Sequence, residues 1–177
     1  MPTMYLPPPN GRYLNGVYNG YPFDPKVQMC ITSPYLDVRY YQDGSEYKHR
    51  AVDFAPQDYN IPMRGQHLFS PVDGTIVETI ANASGSAYGN AVLIEGDRGG
   101  TVLLAHMLEL AGIARPGVKV KRGTFVGRAD NTGKSTGDHT HVQTSRGDQR
   151  TIFSVEFIVD PIPWLLFQAQ FYGDGDI

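Results

Sequence analysis

The runs His49-Arg50-Ala51-Val52-Asp53 and Asp138-His139-Thr140-His141 are the most informative stretches of the chain, and with His106 between them they hold four of its five histidines. In an extended strand, residues two apart lie on the same face and are separated by about 6.5 Å. His139 and His141 are therefore predicted to face one groove from a single strand.

His49 and Asp53 are four residues apart, which is a different geometric problem. On a straight strand they would be separated by roughly 13 Å, too far for one ion with ligand bonds of about 2 Å. A helix is disfavoured because Pro56 follows closely, and the residue before a proline avoids helical angles. The spacing predicts a bend that leads into a short strand.

Histidine and aspartate side chains at these positions indicate a catalytic metal site. Two histidines and one aspartate supply three nitrogen or oxygen ligands, the number that catalytic zinc uses while it keeps a fourth position for water. Structural zinc usually completes its coordination with cysteines, and Cys30 is the single cysteine of the chain. The remaining histidines are expected to act as general acid or base or as oxyanion donors.

A single histidine is more often a surface or satisfied core residue than a ligand, and His67, which falls in none of these runs, is interpreted in that way. An isolated H-x-H or H-x-x-x-D pattern is also weak, since each arises often by chance. The conjunction of the patterns is what favours a zinc hydrolase.

These residues resemble the M23 family of zinc metallopeptidases, the LytM and lysostaphin type that cleaves peptide bonds in bacterial peptidoglycan. The family signatures are H-x-G-x-D, a central histidine in a strand, and H-x-H after a glycine-rich turn. The matching segments here are His49-Arg50-Ala51-Val52-Asp53, Leu104-Ala105-His106 and Ser135-Thr136-Gly137-Asp138-His139-Thr140-His141. The resemblance extends from about Lys48 to Leu165, roughly two thirds of the chain.

The resemblance implies a role for each of five residues. His49, Asp53 and His141 would be the ligands of one Zn²⁺ per chain. His106 and His139 would be the catalytic pair that orients or deprotonates the attacking water and stabilises the tetrahedral intermediate. All five positions hold the expected residue types, which argues against the metal-free relatives that activate other wall hydrolases.

Two positions depart from the family pattern. Ala51 stands where glycine is usual, so a required positive φ would cost the alanine roughly 1 kcal/mol or force a different bend. Leu104 stands where tyrosine is common. A tyrosine upstream of the first ligand often positions substrate in this family, and both Tyr41 and Tyr47 are candidates.

Short runs rich in β-branched residues predict a mostly β fold, an antiparallel sheet or flattened barrel-sandwich of the duplicated hybrid motif type. The predicted strands lie at 74–80, 91–95, 101–106, 124–128 and 139–143. Few short helices are expected, namely one turn at 108–112 and a C-terminal helix from Pro161 capped by Asp160. The similar segments at 71–77 and 120–127 are also typical of lipoyl carriers, but a carrier would not have the histidine constellation.

Residues 1–37 are predicted to be a segment rich in proline, glycine and tyrosine that wraps the domain or docks into an assembly, and residues 38–177 the peptidase domain. Turn signals at Asn10-Gly11 and Asn15-Gly16 support the first assignment. The 177 residues include 41% hydrophobic and 19% charged residues, an ordinary globular composition.

A net charge of −3 without a long basic run makes nucleic acid an unexpected partner. No apolar stretch approaches the ~20 residues that span a bilayer, so membrane insertion is not expected. The first residues lack the features of a secretory signal. A wall-cleaving enzyme could reach the bacterial cell wall in a phage particle, through a holin-like pore, or as a mature fragment with an added methionine. We favour a phage origin and predict a tail-associated lysin with other tail proteins as partners.

Two functions remain open at this point. The first is a zinc endopeptidase that acts on peptidoglycan stem peptides or cross-bridges. The second is a non-catalytic wall-binding or tail-assembly module that retains the fold. The complete set of ligand positions favours the enzyme, whereas the sequence does not indicate which bond is cut.

Overall fold

The computed structural model describes residues 4–5 and 20–169, a part of the chain that consists of antiparallel strands and one α-helix. The strands are β1 Met4–Tyr5, β2 Met29–Ser33, β3 Asp37–Tyr40, β4 Glu46–His49, β5 Val52–Pro56, β6 His67–Phe69, β7 Gly74–Ile80, β8 Asn90–Gly96, β9 Thr101–Leu110, β10 Lys119–Val120, β11 Phe125–Ala129, β12 Thr140–Ser145 and β13 Ile158–Val159. Helix α1 is Pro161–Ala169, and single turns of 3-10 helix lie at Asn82–Ser84 and Gln149–Thr151. The predicted fold class is confirmed.

The strands form one large sheet and a separate hairpin. In the large sheet the order is β1-β2-β5-β12-β9-β8-β7-β10, while β11 pairs with both β6 and β9, and β13 pairs with β12. Within the described part of the chain, β3 and β4 pair only with each other. Strand β12 therefore lies between β5 and β9, at the centre of the sheet.

The five predicted strands are found with bounds that differ by a few residues. The predicted helical turn at 108–112 is wrong, because Glu109 and Leu110 continue β9 and pair with Arg128 and Gly127 of β11. The predicted C-terminal helix is found as α1. Its cap is present too, since the Asp160 Oδ1 atom accepts a hydrogen bond of 2.9 Å from the Ile162 backbone N–H.

Two clusters of buried side chains cover the two faces of the central strands. The larger includes Val92, Leu104 and Val142, and Trp164 and Leu165 of α1 pack into it. The smaller consists of Ala91, Leu93, Leu103, Ala105 and Ile152. Since Leu103 and Ala105 lie opposite Gln143 and His141 in the sheet, the smaller cluster shares its face with His141.

Residues 21–31 contribute side chains to the same core. Tyr21, Phe23, Met29 and Ile31 are buried in the larger cluster, and β2 pairs with β5. The turn signals at Asn10-Gly11 and Asn15-Gly16 lie outside the described residues, and the boundary at residue 37 stays a prediction. No helix within 4–5 and 20–169 has the length and apolar character needed to cross a bilayer.

Candidate metal centre

The sheet register brings the two halves of the sequence signature together. Asp53 of β5 and Ala105 of β9 lie directly opposite His141, one on each side of β12. Directly opposed residues of an antiparallel pair have Cβ atoms about 5 Å apart. His49 ends β4, and the chain bends at Ala51 before β5 begins at Val52, as the spacing predicts.

Three side chains present donor atoms to one point. The His49 Nε2 atom is 3.3 Å from Asp53 Oδ1, His141 Nδ1 is 3.1 Å from the same oxygen, and the two histidine nitrogens are 3.1 Å apart. Ligand atoms that surround a tetrahedral ion at about 2.0–2.1 Å are about 3.3 Å from one another. The separations therefore fit a single small divalent cation.

In His49 and His141, the ring nitrogen that points away from this shared point, called the outer nitrogen, faces a hydrogen-bond acceptor. His141 Nε2 lies 3.4 Å from Gln143 Oε1, and the Gln143 amide group donates to the Ile152 carbonyl, which fixes its orientation. His49 Nδ1 lies 3.3 Å from the Ser33 hydroxyl, which donates its own proton to Asp37 at 2.9 Å. Both outer nitrogens are thereby assigned as N–H donors.

This assignment leaves lone pairs on the inner nitrogens of His49 and His141, beside an oxygen of Asp53. Such atoms at 3.1–3.3 Å repel one another unless a proton or a cation lies among them. Metal ions displace protons from donor sets of this kind. The donor chemistry as well as the spacing therefore fits a metal ion.

The Asp53 carboxyl group is held in its ionised form. Burial by itself would raise its pKa, but His141 and His49 donate to it when they are protonated, and these hydrogen bonds and positive charges lower the pKa well below the usual range. Burial also lowers the pKa of His141, against the opposing effect of its hydrogen bond to Asp53. Asp53 is therefore ionised and the protonated form of His141 is disfavoured, as metal binding requires.

His106 lies in a backbone irregularity of β9. Its φ of 58° is in the left-handed region, and the pairing of β9 with β8 and with β11 shifts register beside it. The bulge turns the imidazole towards the other histidines, with its ring centroid 4.7 Å from that of His139 and 5.7 Å from that of His141. Left-handed backbone at a non-glycine residue is strained and is concentrated at functional sites.

The protonation of His106 follows from its surroundings. Its Nδ1–H donates to the Thr132 carbonyl at 2.7 Å, so Nε2 carries the lone pair. Burial lowers the pKa of His106 to about 4, with smaller contributions from the neighbouring histidines. At neutral pH the ring is therefore an uncharged proton acceptor.

His139 has a similar arrangement on the opposite side of the groove. It precedes β12 and forms an isolated bridge with Asp130. Its Nδ1–H donates to the Gly137 carbonyl at 2.8 Å, while Nε2 points inwards, 3.6 Å from Asp53 Oδ1. Neither His106 nor His139 is needed to complete the three-donor set, so both are available for proton transfer.

The structure distinguishes between the two candidate tyrosines. Tyr47 lies opposite Arg39 in the β3–β4 hairpin and two residues before His49 on the same face, and it forms a hydrogen bond with Arg39. Tyr41 is about half exposed and stacks on the Tyr47 ring with centroids 4.5 Å apart. Tyr47 is thus connected to the candidate ligand Asp53 through Arg39.

Sequence reasoning missed several residues of the site. Gln143 could have been found, because it continues the two-residue period of His139 and His141. Tyr88 contacts His141 with ring centroids 5.7 Å apart, and its hydroxyl donates to Gln143 at 3.4 Å. Tyr88, like Arg39, comes from a distant segment that no local pattern connects to the histidines.

The other sequence interpretations concern residues away from the donor set. His67 is exposed on β6, where it contacts Phe69 and Phe125. Leu104 is fully buried in the larger cluster. Ala51 is also fully buried, and its φ is not positive, so this alanine carries no left-handed strain.

Comparisons with known proteins agree with this architecture. The family model of peptidase family M23 matches residues 47–152. An uncharacterized metalloprotease of Haemophilus influenzae is 30% identical over 142 residues, which cover 76% of this chain and 27% of that protein. The chain thus spans about a quarter of the length of this curated relative.

Solved structures show the same similarity. A zinc-containing peptidase from Vibrio cholerae superposes with a TM-score of 0.57 and 29% identity, over 72% of this chain and 36% of that chain. The catalytic domain of the antimicrobial peptidase lysostaphin from Staphylococcus simulans gives a TM-score of 0.58 and 25% identity, over 79% and 92%. The chain belongs to peptidase family M23.

Proposed function

We propose that the protein is a zinc-dependent endopeptidase that hydrolyses peptide bonds in bacterial peptidoglycan. The observation that carries the proposal is the convergence of His49, Asp53 and His141 on one point beside two further histidines. The name of the Vibrio relative supports zinc, and that of lysostaphin supports an antimicrobial peptidase activity. Peptidoglycan as substrate rests on the family resemblance.

The three donor atoms suit zinc, which catalytic sites bind through three protein ligands of this kind. When bound, zinc lowers the pKa of water to about 7 and polarises a carbonyl group. The protein holds the ligands from three separate strands, β4, β5 and β12. Because these strands are fixed by the sheet and the hairpin, the donor geometry is preorganised.

His106 and His139 are placed to move protons. Each keeps its Nδ1–H on a backbone carbonyl, of Thr132 and Gly137 respectively, and so presents Nε2 to the groove. A ring held in this way accepts a proton at Nε2 from the attacking water. The same Nε2–H then donates to the oxyanion or passes the proton to the leaving amine.

Variants of four of the five residues test this division of roles. We expect Asp53→Asn and His141→Ala to lose zinc binding, measured by metal analysis of the purified protein. His106→Asn and His139→Ala should bind one zinc and lose wall lysis by at least 100-fold, the order of a general acid–base contribution. Asparagine is chosen at residue 106 because it tolerates the left-handed backbone.

His67→Ala is the matched control, since His67 is an exposed histidine outside the site. It should retain both zinc and lysis. A His139→Ala protein with full lytic activity would contradict the catalytic assignment. Wild-type protein that takes up no zinc at neutral pH would favour the non-catalytic wall-binding or assembly module.

The scissile bond is a separate part of the proposal. Loops 81–88 and 145–150 are proposed as groove walls, and Tyr88 at the end of the first contacts His141. Cell walls with different cross-bridges should be digested selectively. Mass spectrometry of the new amino termini would identify the bond, and equal release from all walls would contradict selectivity by these loops.

We also propose that the protein acts at the wall as part of a phage particle. The expected observation is its presence in purified virions by mass spectrometry, together with tail proteins. Its absence from virions of a phage that encodes the chain would contradict this context without affecting the peptidase proposal.

A further inference from the structure

An arginine contacts the aspartate of the candidate metal centre. Arg39 Nη2 donates to Asp53 Oδ2 at 2.7 Å, whereas the other carboxylate oxygen, Oδ1, faces His49 and His141. The two oxygens of Asp53 are therefore divided between two cationic environments. One faces the guanidinium group and the other faces the point where the donor atoms converge.

The contact is partly protected from solvent. The side chain of Asp53 is 6% exposed and that of Arg39 is 34% exposed. A charge-assisted hydrogen bond of this length is stronger than one between neutral groups. The geometry therefore holds Oδ2 in place against rotation of the carboxylate.

Arg39 Nη2 is also connected to a second candidate ligand, His49, through Ser33. Arg39 Nη2 also donates to the Ser33 hydroxyl at 2.6 Å, and Ser33 is the partner of His49 Nδ1 at 3.3 Å. Ser33 in turn donates to Asp37. One arginine thus orients Asp53 directly and His49 through Ser33.

The hairpin presents these groups as a set. In the β3–β4 register Asp37 lies opposite His49, and Arg39 lies opposite Tyr47. Alternation along each strand places all four side chains on one face of the hairpin. The hairpin pairs with no other strand among the described residues. Contacts of its side chains Arg39 and His49 therefore connect it to Asp53 of the large sheet.

We propose that Arg39 is a positioning residue that restricts Asp53 to binding metal through Oδ1 alone. This inference rests on the metal centre proposed above. With Oδ2 engaged by Arg39, the carboxylate contributes one ligand atom and leaves a coordination position for water. Without Arg39, Oδ2 rotates towards the metal and occupies that position.

Cobalt substitution tests this directly, because the visible absorption of Co²⁺ weakens as its coordination number rises. Wild-type protein loaded with Co²⁺ should show the intense bands of a four-coordinate site. Arg39→Met should still bind Co²⁺ but show weaker bands, since the carboxylate becomes bidentate. Wall lysis by its zinc form should fall about 10- to 100-fold, the usual effect of removing an outer-shell partner.

The variant Arg39→Lys tests whether a positive charge at this position is sufficient without the planar guanidinium group. A single nitrogen of Arg39 makes both hydrogen bonds, so one ammonium group should restore most of the four-coordinate spectrum. Arg128→Met is the matched control, because Arg128 is a similarly half-exposed arginine that pairs with Glu109 at 3.1 Å and touches no ligand. It should give the wild-type spectrum.

The outcomes distinguish this inference from the proposed function. Identical cobalt spectra for wild type and Arg39→Met would overturn the role of Arg39 while leaving the metallopeptidase proposal intact. An Arg39→Met protein that binds no Co²⁺ although its metal-free circular dichroism spectrum matches wild type would also overturn it. A wild-type protein that binds neither Co²⁺ nor Zn²⁺ would overturn both proposals.

Discussion

At the scale of single residues, the outer contacts of each imidazole decide which nitrogen faces the metal centre. Gln143 accepts a hydrogen bond from the outer nitrogen of His141, and the Ser33 hydroxyl accepts one from the outer nitrogen of His49. His106 and His139 are held by backbone carbonyls instead. In the proposed enzyme, four chemically identical rings would thereby divide into two metal-binding and two proton-transferring histidines.

Ala51 supports a prediction about the bend between His49 and Asp53. Because its φ is not positive and its side chain is fully buried, glycine would add conformational freedom to the unfolded chain and remove a buried methyl group. We expect Ala51→Gly to lower the free energy of unfolding by about 1 kcal/mol. Urea denaturation of the metal-free protein measures this.

Gly44 provides the contrasting position. Its φ is 83° in the exposed turn of the β3–β4 hairpin, so Gly44→Ala should cost about 1 kcal/mol through left-handed strain instead. A rise in stability on changing Ala51 to glycine would show that the bend requires a backbone conformation different from the one described.

The lowered pKa of His106 predicts a pH dependence of stability. Its ordinary value of 6.5 applies to the unfolded chain, whereas the folded value is about 4. Between these values the unfolded chain binds more protons, so folding stability rises with pH. The melting temperature of the metal-free protein should therefore fall as the pH is lowered from 6.5 towards 4.

His106→Asn removes this titration and is the control. It should show a shallower decrease of melting temperature over the same pH range, with the remaining slope due in part to His141, whose pKa is also lowered. Equal slopes for the two proteins would mean that His106 is protonated equally in the folded and unfolded states.

At the scale of elements, the bulge of β9 is what makes this sheet a candidate active site. It interrupts the ladder beside His106, so nearby carbonyl groups lose their regular partners. Asn90 compensates, since its side-chain amide donates to the carbonyls of Met107 and Leu108 at 3.1 Å each. Thr132 also donates to Met107 at 2.7 Å and accepts from His106.

The role of Asn90 gives a prediction for this element. Asn90→Ala removes the side-chain donor of the Leu108 carbonyl and one of the two side-chain donors of the Met107 carbonyl. It also removes the acceptor of the Asn82 backbone N–H, which lies at 2.8 Å. We expect a loss of about 1–3 kcal/mol in the free energy of unfolding, measured in urea with a chelator present.

Asn60→Ala is the matched control, because Asn60 is exposed and its side-chain amide donates to the nearby Asp58 carboxylate. It should change stability by no more than about 0.5 kcal/mol. If Asn90→Ala changed the free energy of unfolding as little as Asn60→Ala does, other groups must donate hydrogen bonds to the carbonyl groups of the bulge.

At the scale of the whole molecule, the candidate ligands connect the β3–β4 hairpin, β5 and β12. A metal bound there would link three parts of the chain that lie far apart in sequence. Because such a ligand set does not exist in the unfolded chain, binding stabilises the folded state by mass action. Stability and metal occupancy are therefore coupled.

This coupling predicts a metal-dependent melting temperature. At a free zinc concentration 100 times the Kd, the stabilisation is about 2.7 kcal/mol. Chelator should lower the melting temperature, and added zinc should restore it. The gain should disappear in Asp53→Asn, and a melting temperature of wild type that is independent of zinc would contradict the proposed site.

The sequence by itself determined the positions of five of the strands from Gly74 onwards, the bend after His49, the cap of α1 and the chemical identity of the candidate donors. These features follow from short-range rules such as alternation along a strand, the restriction before Pro56 and the side-chain cap of Asp160. A rule of this kind relates residues that are close in sequence, so one chain is sufficient to apply it. The same rules failed at 108–112, where pairing with β11 overrode local preference.

Only the tertiary structure decided which atoms meet. The placement of Asp53 opposite His141, the bulge at His106 and the contact of Arg39 with Asp53 all depend on pairing between distant segments. Strand register is set by the burial of whole faces and by the long-range ladder, and a shift of one residue would turn every side chain to the other face. No local spacing carries that information, which is why the donor residues were predictable and their hydrogen-bonded surroundings were not.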